Sequence, residues 1–329
     1  TCLFNKLMLL RLFTGAKSGG LFYFIFSKYC IIFLAITCHR IFSSMRIFAF
    51  LFSTIFAFMQ GRAQPDVEVF AGMHITKSVT VIPGQYLLLS PTFSSPAIII
   101  EGSNITIDFK GAVLLGNRNA DNPDGFTGIA ILVAKGSKNI TIKNVAAQGF
   151  KIGCLADSVK NITIEQSDFS YNYRQYLHSN IFREDVSDWM SYHHNENDEW
   201  MRYGAGIYLK NCSESVVRKN TITNGQCALM MTGCDNNQVY KNNFSFNSAI
   251  GIGMYRSSEN KIYNNRLCFN VRGFSMGVYR RGQDSAGILV FEQCNKNIFA
   301  YNMATHSGDG FFLWAWQTTM DNGKGGCNN

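Results

Sequence analysis

Proline and charged side chains are scarce in this sequence. Its 329 residues include five prolines, and 16% are charged while 47% are hydrophobic. So few prolines exclude a collagen-like or proline-rich chain. A normal apolar fraction with low charge excludes intrinsic disorder. The length suits one large folded domain or two ordinary ones.

Acidic residues are absent from positions 1–63, which contain seven basic residues. The chain as a whole carries a formal charge of +8, but residues 64–329 hold 23 basic and 22 acidic residues. Because the main part of the chain is almost neutral, it offers no field for sequence-independent phosphate binding. We therefore expect no nucleic-acid partner.

The segment 45–63 has the pattern of a secretory signal peptide. Met45-Arg46 is followed by an apolar run that ends at Met59, and small residues, Gly61 and Ala63, stand at the expected cleavage site. The run is too short to cross a membrane comfortably. We expect a mature protein without a membrane span that is secreted, periplasmic or at the cell surface.

The outermost segments of the sequence are atypical. Residues 1–44 begin with Thr and contain a second apolar stretch, so they are interpreted as a non-native upstream segment or as a membrane anchor. The chain ends inside a Gly-rich stretch, and we interpret residues 64–329 as a domain truncated at its C-terminus.

A six-residue segment ending in Asn or Gln recurs along the chain. The copies, preceded by a shorter one at Asn104, start at Asn139, Asn161, Ser215, Asn237, Asn260 and Asn297. Successive starts are 35, 22, 54, 22, 23 and 37 residues apart, which indicates a period of 22 or 23 residues with three inserts.

Two other short apolar runs follow the same period. One begins with a small residue, as in Gly206-Ile207-Tyr208-Leu209, and another follows each Asn, as in Thr221-Ile222-Thr223. The runs are too short for helices and alternate at period two, so each unit contains three short strands. One unit cannot bury its own apolar face, and the units must therefore stack.

Stacking assigns the side chains of the first strands to two faces. The residues expected to point inward are Ile207, Leu209, Leu229, Met231, Ile252, Met254, Ile288, Val290, Phe311 and Leu313. Those expected to point outward are Tyr208, Met230, Gly253, Leu289 and Phe312. A stack of asparagines is predicted at one turn, where Asn tolerates the left-handed conformation: Asn144, Asn220, Asn242, Asn265 and Asn302.

The alignment of the repeats leaves one question open. In the copy that starts at Asn139, the apolar residues Ile140 and Ile142 occupy positions 2 and 4 of the segment. In two later copies, the apolar residues Val239 and Ile262 occupy position 3. Either a bulge shifts the strand register or the alignment slips by one residue.

This pattern resembles the right-handed parallel β-helix proteins. That superfamily includes pectate lyases, polygalacturonases, alginate epimerases and the periplasmic NosD-type proteins of nitrous-oxide-reductase maturation. The resemblance covers roughly residues 77–329 and implies an all-β chain with three short strands in each coil of about 22 residues. The paired-Asp pattern of the polygalacturonases is absent, so no catalytic mechanism is carried over.

Each insert precedes a first strand. The inserts are 117–127, 171–204 and 271–286, and the short connection 306–309 occupies the same repeat position. Equivalent positions of a solenoid stack on one edge, so these loops should line one rim beside the outward row of the first strands. The long insert is expected to be partly helical near 182–200.

The rim loops are rich in histidines, carboxylates, arginines and aromatic residues. Aromatic rings stack on the apolar faces of sugars, while charged groups bind hydroxyls, and arginines suit uronate carboxylates. We therefore expect a polysaccharide or glycoconjugate partner, although a polar surface excursion would have a similar composition.

Candidate residues follow from this location. The catalytic candidates are His306, Asp309, Arg281, Glu199 and Tyr203. The candidates for binding substrate are Arg280, Arg202, Tyr208, Trp200, His193 and Trp314. His306 beside a carboxylate would transfer protons, but Asp309-Gly310 is also typical of a tight turn. We predict no cofactor; calcium or another metal is an open alternative that no ligand spacing supports.

Seven cysteines follow the predicted signal peptide. Cys212 and Cys234 are one period apart and should stack on neighbouring coils. Their parallel Cβ directions disfavour a disulfide, and we expect reduced thiols.

Three functional hypotheses remain. The leading one is an exported carbohydrate-active protein that acts on a polysaccharide as a lyase, epimerase or hydrolase. The alternative is a non-enzymatic binding module, NosD-like or adhesin-like, and the third is a purely structural surface solenoid. Convergence of His306, Asp309 and Arg281 with Glu199 or Tyr203 would favour the enzyme.

Overall fold

The computed structural model describes residues 65–92, 94–117, 122–180, 182–190, 199–272, 284–323, 325 and 329, without the side chains at positions 186, 199, 200 and 318. The chain divides into two compact units, Thr1–Ala63 and Gln64–Asn329. All described residues belong to the second unit. The predictions made for residues 1–63 lie outside the described part.

The second unit is a right-handed parallel β-helix, as predicted. Its short strands pair in parallel with the equivalent strand of the next coil. The backbone N–H and C=O groups at the edge of each coil form hydrogen bonds with those of its neighbour.

Three sheets run along the helix. The sheet formed by the first strands of the coils, here called the rim sheet, contains β2 (Met73–Ile75), β5 (Pro96–Ile100), β8 (Ile129–Val133), β11 (Ile152–Asp157), β13 (Ala205–Lys210), β15 (Cys227–Thr232), β17 (Ile250–Tyr255), β19 (Ala286–Phe291) and β21 (Asp309–Trp314). The second sheet contains β1 (Asp66–Val67), β3 (Val79–Val81), β6 (Ser103–Asp108), β9 (Lys138–Lys143), β12 (Lys160–Glu165), β14 (Val216–Arg218), β16 (Gln238–Tyr240), β18 (Lys261–Tyr263) and β20 (Ile298–Ala300).

The third sheet is short. It contains β4 (Gln85–Leu87), β7 (Val113–Leu115) and β10 (Ala146–Gln148). Beyond β10 it continues as single bridges between one residue of each coil: Ala146, Asp168, Thr221, Asn243, Arg266 and Met303. The third apolar run of each repeat therefore keeps its place in the stack although it is too short to form a strand.

Helices are few in the described residues. They are α1 (Glu199–Tyr203), α2 (Gln317–Asn322) and two 3-10 turns at Pro123–Gly125 and Val186–Asp188. The described part of the long insert thus contains one 3-10 turn and one helix of five residues. The rest of the stretch near 182–200, where helix was expected, lies largely outside the described residues. Neither α-helix has the length or hydrophobicity of a membrane-spanning segment.

The predicted inward row forms the core. Ile207 pairs with Leu229, then Ile252, Ile288 and Phe311 follow on successive strands. The first three are fully buried, whereas Phe311 on the last strand is 46% exposed. Each fully buried aliphatic side chain contributes about 1.5–3 kcal/mol relative to an exposed one.

Asparagine ladders line the turns inside the coils. In one ladder the backbone N–H of Asn220 donates to Asn242 Oδ1 at 2.9 Å, and that of Asn242 donates to Asn265 Oδ1 at 3.1 Å. Asn302 continues it, since its Oδ1 accepts from the Asn265 N–H at 3.0 Å. Parallel ladders occupy two other turns, through Asn237, Asn260 and Asn297 and through Asn247 and Asn270.

Asn144 does not join the ladder, contrary to the prediction. It has a positive φ of 58° and donates from Nδ2 to Asp108 Oδ1 at 2.8 Å. The ladder position of that part of the stack is taken by Ser167, whose N–H donates to Asn220 Oδ1 at 3.1 Å. The left-handed residue is the one before each ladder asparagine, for example Lys219 or Lys241.

The repeat alignment slips by one residue, so no bulge is needed. Ile164 pairs with Val217, which pairs with Val239. Asn161 therefore corresponds to Glu214, and both have the left-handed conformation, with φ of 57° and 54°. The recurring asparagines misled the alignment because two different turn positions carry them.

The outer face of the rim sheet is covered, although it was expected to be the open floor of a groove. Tyr208, Met230 and Leu289 are each 0% exposed. They belong to a second apolar cluster, which also includes Met190 and Tyr203 from the long insert. The prediction that Tyr208 lies open to substrate is therefore wrong.

The six described cysteines are free and buried. Cys212 and Cys234 lie on neighbouring coils and hydrogen-bond to each other. This agrees with the expectation of reduced thiols.

Candidate functional site

The inserts emerge at one edge of the rim sheet, as the repeat predicted. They immediately precede β8, β13 and β19, which are strands of the same sheet. The Arg174 N–H donates to the carbonyl of Pro123 at 3.3 Å, and the Met190 N–H donates to Asp284 Oδ2 at 3.2 Å. Loops that are far apart in sequence are thus in contact, and this edge of the molecule is called the rim.

A polar cleft of about 240 Å³ opens between the first two inserts. It is lined by Asp124, Tyr173, Gln175, Tyr176, His178, Ser187, Trp189, Arg202 and Tyr203. Tyr176 is 70% exposed and Trp189 is 43% exposed, so their rings are available to a ligand. The cleft combines aromatic faces with a carboxylate, a guanidinium and an imidazole.

The walls of the cleft are held by buried amides. The Gln175 N–H donates to Gln226 Oε1 at 2.8 Å, and Gln226 Nε2 donates to the carbonyl of Tyr203 at 2.8 Å. Gln226 is 1% exposed. This side chain therefore connects the beginning and the end of the long insert across the rim sheet.

Asp188 orders the outer part of the same insert. Its two carboxylate oxygens accept the N–H groups of His178 at 2.9 Å and Ser179 at 2.7 Å. The His178 ring makes an edge contact with Tyr176, at 5.8 Å between ring centroids. These contacts fix the His178 backbone and place its ring beside Tyr176.

A buried lysine lies next to the cleft. Lys151 Nζ is 3.0 Å from the centre of the Tyr173 ring, and the residue is 4% exposed. The pKa of Lys151 is lowered to about 7, chiefly by burial and in smaller part by the charge of Arg202, against the opposing effects of Cys227 and Asp124. The ammonium and neutral amine forms therefore coexist at neutral pH.

The same surroundings affect two neighbours of Lys151. Burial, together with the charge of Asp124, raises the pKa of Tyr173. Burial also raises the pKa of the Cys227 thiol to about 12, against the opposing effects of Arg272 and Lys151. Both groups therefore remain protonated at neutral pH.

Among the residues that the structure describes, the predicted catalytic candidates His306, Asp309 and Tyr203 do not come together. The His306 ring stacks on Phe269 at 4.6 Å between centroids, and His306 Nδ1 lies 3.1 Å from Thr305 Oγ1. Asp309 begins β21, which is four strands from the strand that follows Tyr203. At about 4.8 Å per strand this separation is roughly 19 Å. His306 and Asp309 therefore do not converge with Tyr203, and these residues do not form the arrangement that would favour the enzyme hypothesis.

The remaining candidate residues lie in different parts of the molecule. Arg202 and Tyr203 line the cleft. Trp314 packs on Phe291 at the opposite end of the rim-sheet strands, 4.9 Å between centroids. Arg280, Arg281 and His193 lie outside the described residues, as do the side chains of Glu199 and Trp200.

Sequence reasoning missed Lys151 and Asp124. Lys151 stands directly before β11, the equivalent of Gly128 before β8 and Gly204 before β13. A lysine at a repeat position that glycine occupies in the coil before and in the coil after it is the signal that could have identified it.

A larger groove of about 520 Å³ lies elsewhere, at the turn that follows the second sheet. It is shallow, and its lining has no aromatic residue: Lys110, Gly111, Asn144, Val145, Ala146, Gln166, Ser167, Asp168, Lys219 and Thr221. Surface lysines around a turn do not enclose a ligand, and the rim cleft remains the stronger candidate for a binding site.

A family of known proteins matches this chain. The model of the family described as "Periplasmic copper-binding protein (NosD)" matches residues 80–278, which is more than half of the sequence. The chain belongs to the NosD family. The fold and the predicted resemblance to NosD-type β-helix proteins are thereby confirmed.

Solved structures with similar folds are distant. The DFA-IIIase from Arthrobacter chlorophenolicus A6 bound to DFA-III is 12% identical with a TM-score of 0.43, and the match covers 69% of this chain and 56% of that chain. The same enzyme without its lid reaches a TM-score of 0.46 at 11% identity, covering 72% of this chain and 67% of that chain. The periplasmic alginate epimerase AlgG gives 0.38 at 13% identity, covering 72% of this chain and 64% of that chain.

The chain thus spans little more than half the length of the DFA-III complex. No curated protein matches the sequence.

Copper is the ligand in the description of the NosD family. Among the residues that the structure describes, no group of three His, Cys, Asp or Glu side chains could hold a metal ion. The hydrogen-bonded thiols of Cys212 and Cys234 are both 0% exposed and face the core. This part of the chain does not fit a copper site.

Proposed function

We propose that this NosD-family chain is an exported periplasmic binding protein whose rim cleft holds part of a polysaccharide or glycoconjugate. The observation that carries the proposal is the composition of the cleft. Exposed Tyr176 and Trp189 stand beside Asp124, His178 and Arg202 in a space of about 240 Å³.

The chemistry of the cleft suits a sugar ring. Aromatic side chains offer apolar faces that pack against the C–H surface of a pyranose. Carboxylate and guanidinium groups bind hydroxyls through charge-assisted hydrogen bonds. The buried Gln175–Gln226–Tyr203 connection supports the wall, so little ordering of the site would oppose binding.

A glycan array with the exported full chain tests the proposal, followed by titration of any ligand found. The Tyr176→Ala variant should weaken binding by about tenfold or more, because a stacked ring contributes roughly 1–2 kcal/mol. Tyr301→Ala is the matched control, since Tyr301 is 88% exposed and lies outside the cleft. Equal binding by both variants, or no glycan bound by the wild type, would contradict the proposal.

A second candidate function is a polysaccharide lyase or epimerase. The buried amine of Lys151 favours it, because a group with a pKa of about 7 suits proton abstraction at neutral pH. Turnover should appear as unsaturated or epimerised products and should disappear in Lys151→Met. Glycan binding without any product would leave the binding function alone.

A further inference from the structure

Arg272 is the largest fully buried side chain among the described residues. It is 0% exposed and stands at the start of the third insert. A guanidinium keeps its charge at any physiological pH. The rim therefore contains a permanent positive charge that is removed from water.

The partners of this guanidinium are all neutral. Arg272 Nε donates to the carbonyl of Asp188 at 2.7 Å, and Nη2 donates to Gln175 Oε1 at 2.7 Å. Arg272 Nη1 is buried without a hydrogen-bond partner. Within the described part of the chain, no carboxylate lies within ion-pair distance of Arg272.

The nearby carboxylates have other roles. Both oxygens of Asp188 accept backbone N–H groups. Asp284 accepts the N–H of Met190 at 3.2 Å. Asp124 lies on the exposed lining of the cleft. None of these three acids neutralises the guanidinium directly.

Two further cations face the same tyrosine. Lys151 Nζ contacts the Tyr173 ring, while Arg202 and Arg272 both act electrostatically on Tyr173. Lys151 directly precedes β11, Arg202 lies in α1 and Arg272 begins the third insert, while the carboxylate of Asp124 acts on Tyr173 in the opposite direction to the two arginines. Three basic side chains therefore act on Tyr173 at the inner end of the cleft.

A buried charge without a counter-ion is unfavourable, and neutral hydrogen-bond acceptors compensate it only in part. Gln175 lines the cleft and also accepts from Arg272. The guanidinium of Arg272 therefore lies directly behind the Gln175 side chain, which forms part of the cleft wall. A ligand group that displaces the Gln175 amide would reach it.

We infer that the cleft binds its saccharide through one anionic group, which pairs with Arg272 and is approached past Arg202. This inference rests on the proposed saccharide binding and adds the charge of the ligand. A planar carboxylate matches the Arg272 fork through two parallel hydrogen bonds. A sulfate or phosphate ester shares the same chemistry.

The test measures binding of matched monosaccharides to the full chain by calorimetry. The probes are glucose, glucuronate, glucose 6-sulfate and glucose 6-phosphate, with acetate, sulfate and phosphate as ions without a sugar. We expect at least one anionic sugar to bind ten times or more tightly than glucose. The preferred one identifies the source of the charge.

Arg272→Met should abolish that preference, and Arg272→Lys should retain part of it because the charge remains. Arg202→Met is an exposed second variant that should reduce the preference even if Arg272→Met fails to fold. Lys296→Met is the control, because Lys296 pairs with Glu259 outside the cleft.

The outcomes separate the two proposals. Equal binding of glucose and the anionic sugars, unchanged in Arg202→Met and Arg272→Lys, overturns the anion inference but leaves saccharide binding intact. Binding of the free ions as tight as that of the sugars supports the anion site and contradicts the saccharide function. The absence of binding by any probe overturns both.

Discussion

Two buried polar regions of this molecule differ in how well the hydrogen bonds of their side chains are satisfied. In the Asn220–Asn302 ladder every coil repeats the same hydrogen bonds, at 2.9–3.1 Å between backbone nitrogen and amide oxygen. At the rim, by contrast, the Arg272 side chain is fully buried with one nitrogen unpaired. Lys151 is buried with a strongly lowered pKa. The ladder serves stability, whereas the rim maintains charges that burial disfavours.

Interrupting the ladder should have the largest effect. Asn242 Nδ2 donates to the carbonyl of Val217 at 2.9 Å, and its Oδ1 accepts the Asn220 N–H at 2.9 Å. In Asn242→Leu both buried backbone groups lose their partner, so the free energy of unfolding should fall by about 3–5 kcal/mol. Urea denaturation measures this change.

Gln238→Ala is the control for that experiment, because it removes an exposed amide from the second sheet. It should change the free energy of unfolding by less than about 0.5 kcal/mol. A ladder variant as stable as this control would show that the repeated amides are dispensable.

Removing the buried lysine should raise the free energy of unfolding, whereas interrupting the ladder should lower it. Lys151→Met eliminates a charge that burial disfavours, so the variant should be more stable than the wild type by about 2–4 kcal/mol at pH 7. Thermal unfolding at neutral pH provides the measurement. A less stable variant would mean that Lys151 stabilises the rim, as the asparagines stabilise the coils.

The pH dependence of stability sharpens the same contrast. The pKa of Lys151 is about 7 in the folded chain, against 10.5 for an ordinary lysine, which is the value expected in the unfolded chain. Between pH 7 and 10.5 the unfolded chain therefore binds more protons than the folded chain. The contribution of Lys151 to stability should therefore rise with pH from about 7 to 10.5. Lys151→Met should lack this slope, and a slope equal to that of the wild type would contradict the assignment.

The stacked rings on the turn surface should contribute less. Phe269 stacks between Phe246, at 5.1 Å, and His306, at 4.6 Å between centroids. Phe269→Leu keeps an apolar side chain but loses both stacks, which should reduce the free energy of unfolding by about 1 kcal/mol. Equilibrium unfolding compared with Phe246→Leu, which loses one stack, would test whether the effect scales with the number of contacts.

The surface ion pair should contribute least. Arg218 Nη2 lies 2.6 Å from Glu165 Oε2, but 38% of the arginine side chain is exposed. Arg218→Met should reduce the free energy of unfolding by about 0.2–1 kcal/mol, and salt should diminish the difference. A larger loss that is insensitive to salt would indicate that the hydrogen bond from Arg218 Nη1 to the Tyr240 hydroxyl, at 3.1 Å, and not the ion pair, is responsible.

The repeat predicted the coils well because each coil obeys the same local rule. Period-two alternation placed Ile207 and Leu229 in the core, and the insert positions placed the loops on one edge. Burial of Tyr208 was not predictable in this way. It depends on Met190 and Tyr203, which belong to a loop without any repeat.

The chemistry of the rim was equally hidden. His306 stood beside a carboxylate in sequence, but the left-handed turn directs it into the stack with Phe269. Lys151 lies among Tyr173, Arg202 and Asp124 because three separate segments meet there. Such proximity is a property of the folded loops and leaves no trace in the spacing of any one segment.

The asparagine ladder also explains how loops of any length are accommodated. Between Asn220 and Asn242 the chain advances 22 residues, and between Asn265 and Asn302 it advances 37, yet both steps end in the same hydrogen bond. The extra residues leave and re-enter at a single corner without disturbing the coils above or below. Natural variation or protein engineering could therefore exchange whole recognition loops there while the scaffold remains unchanged.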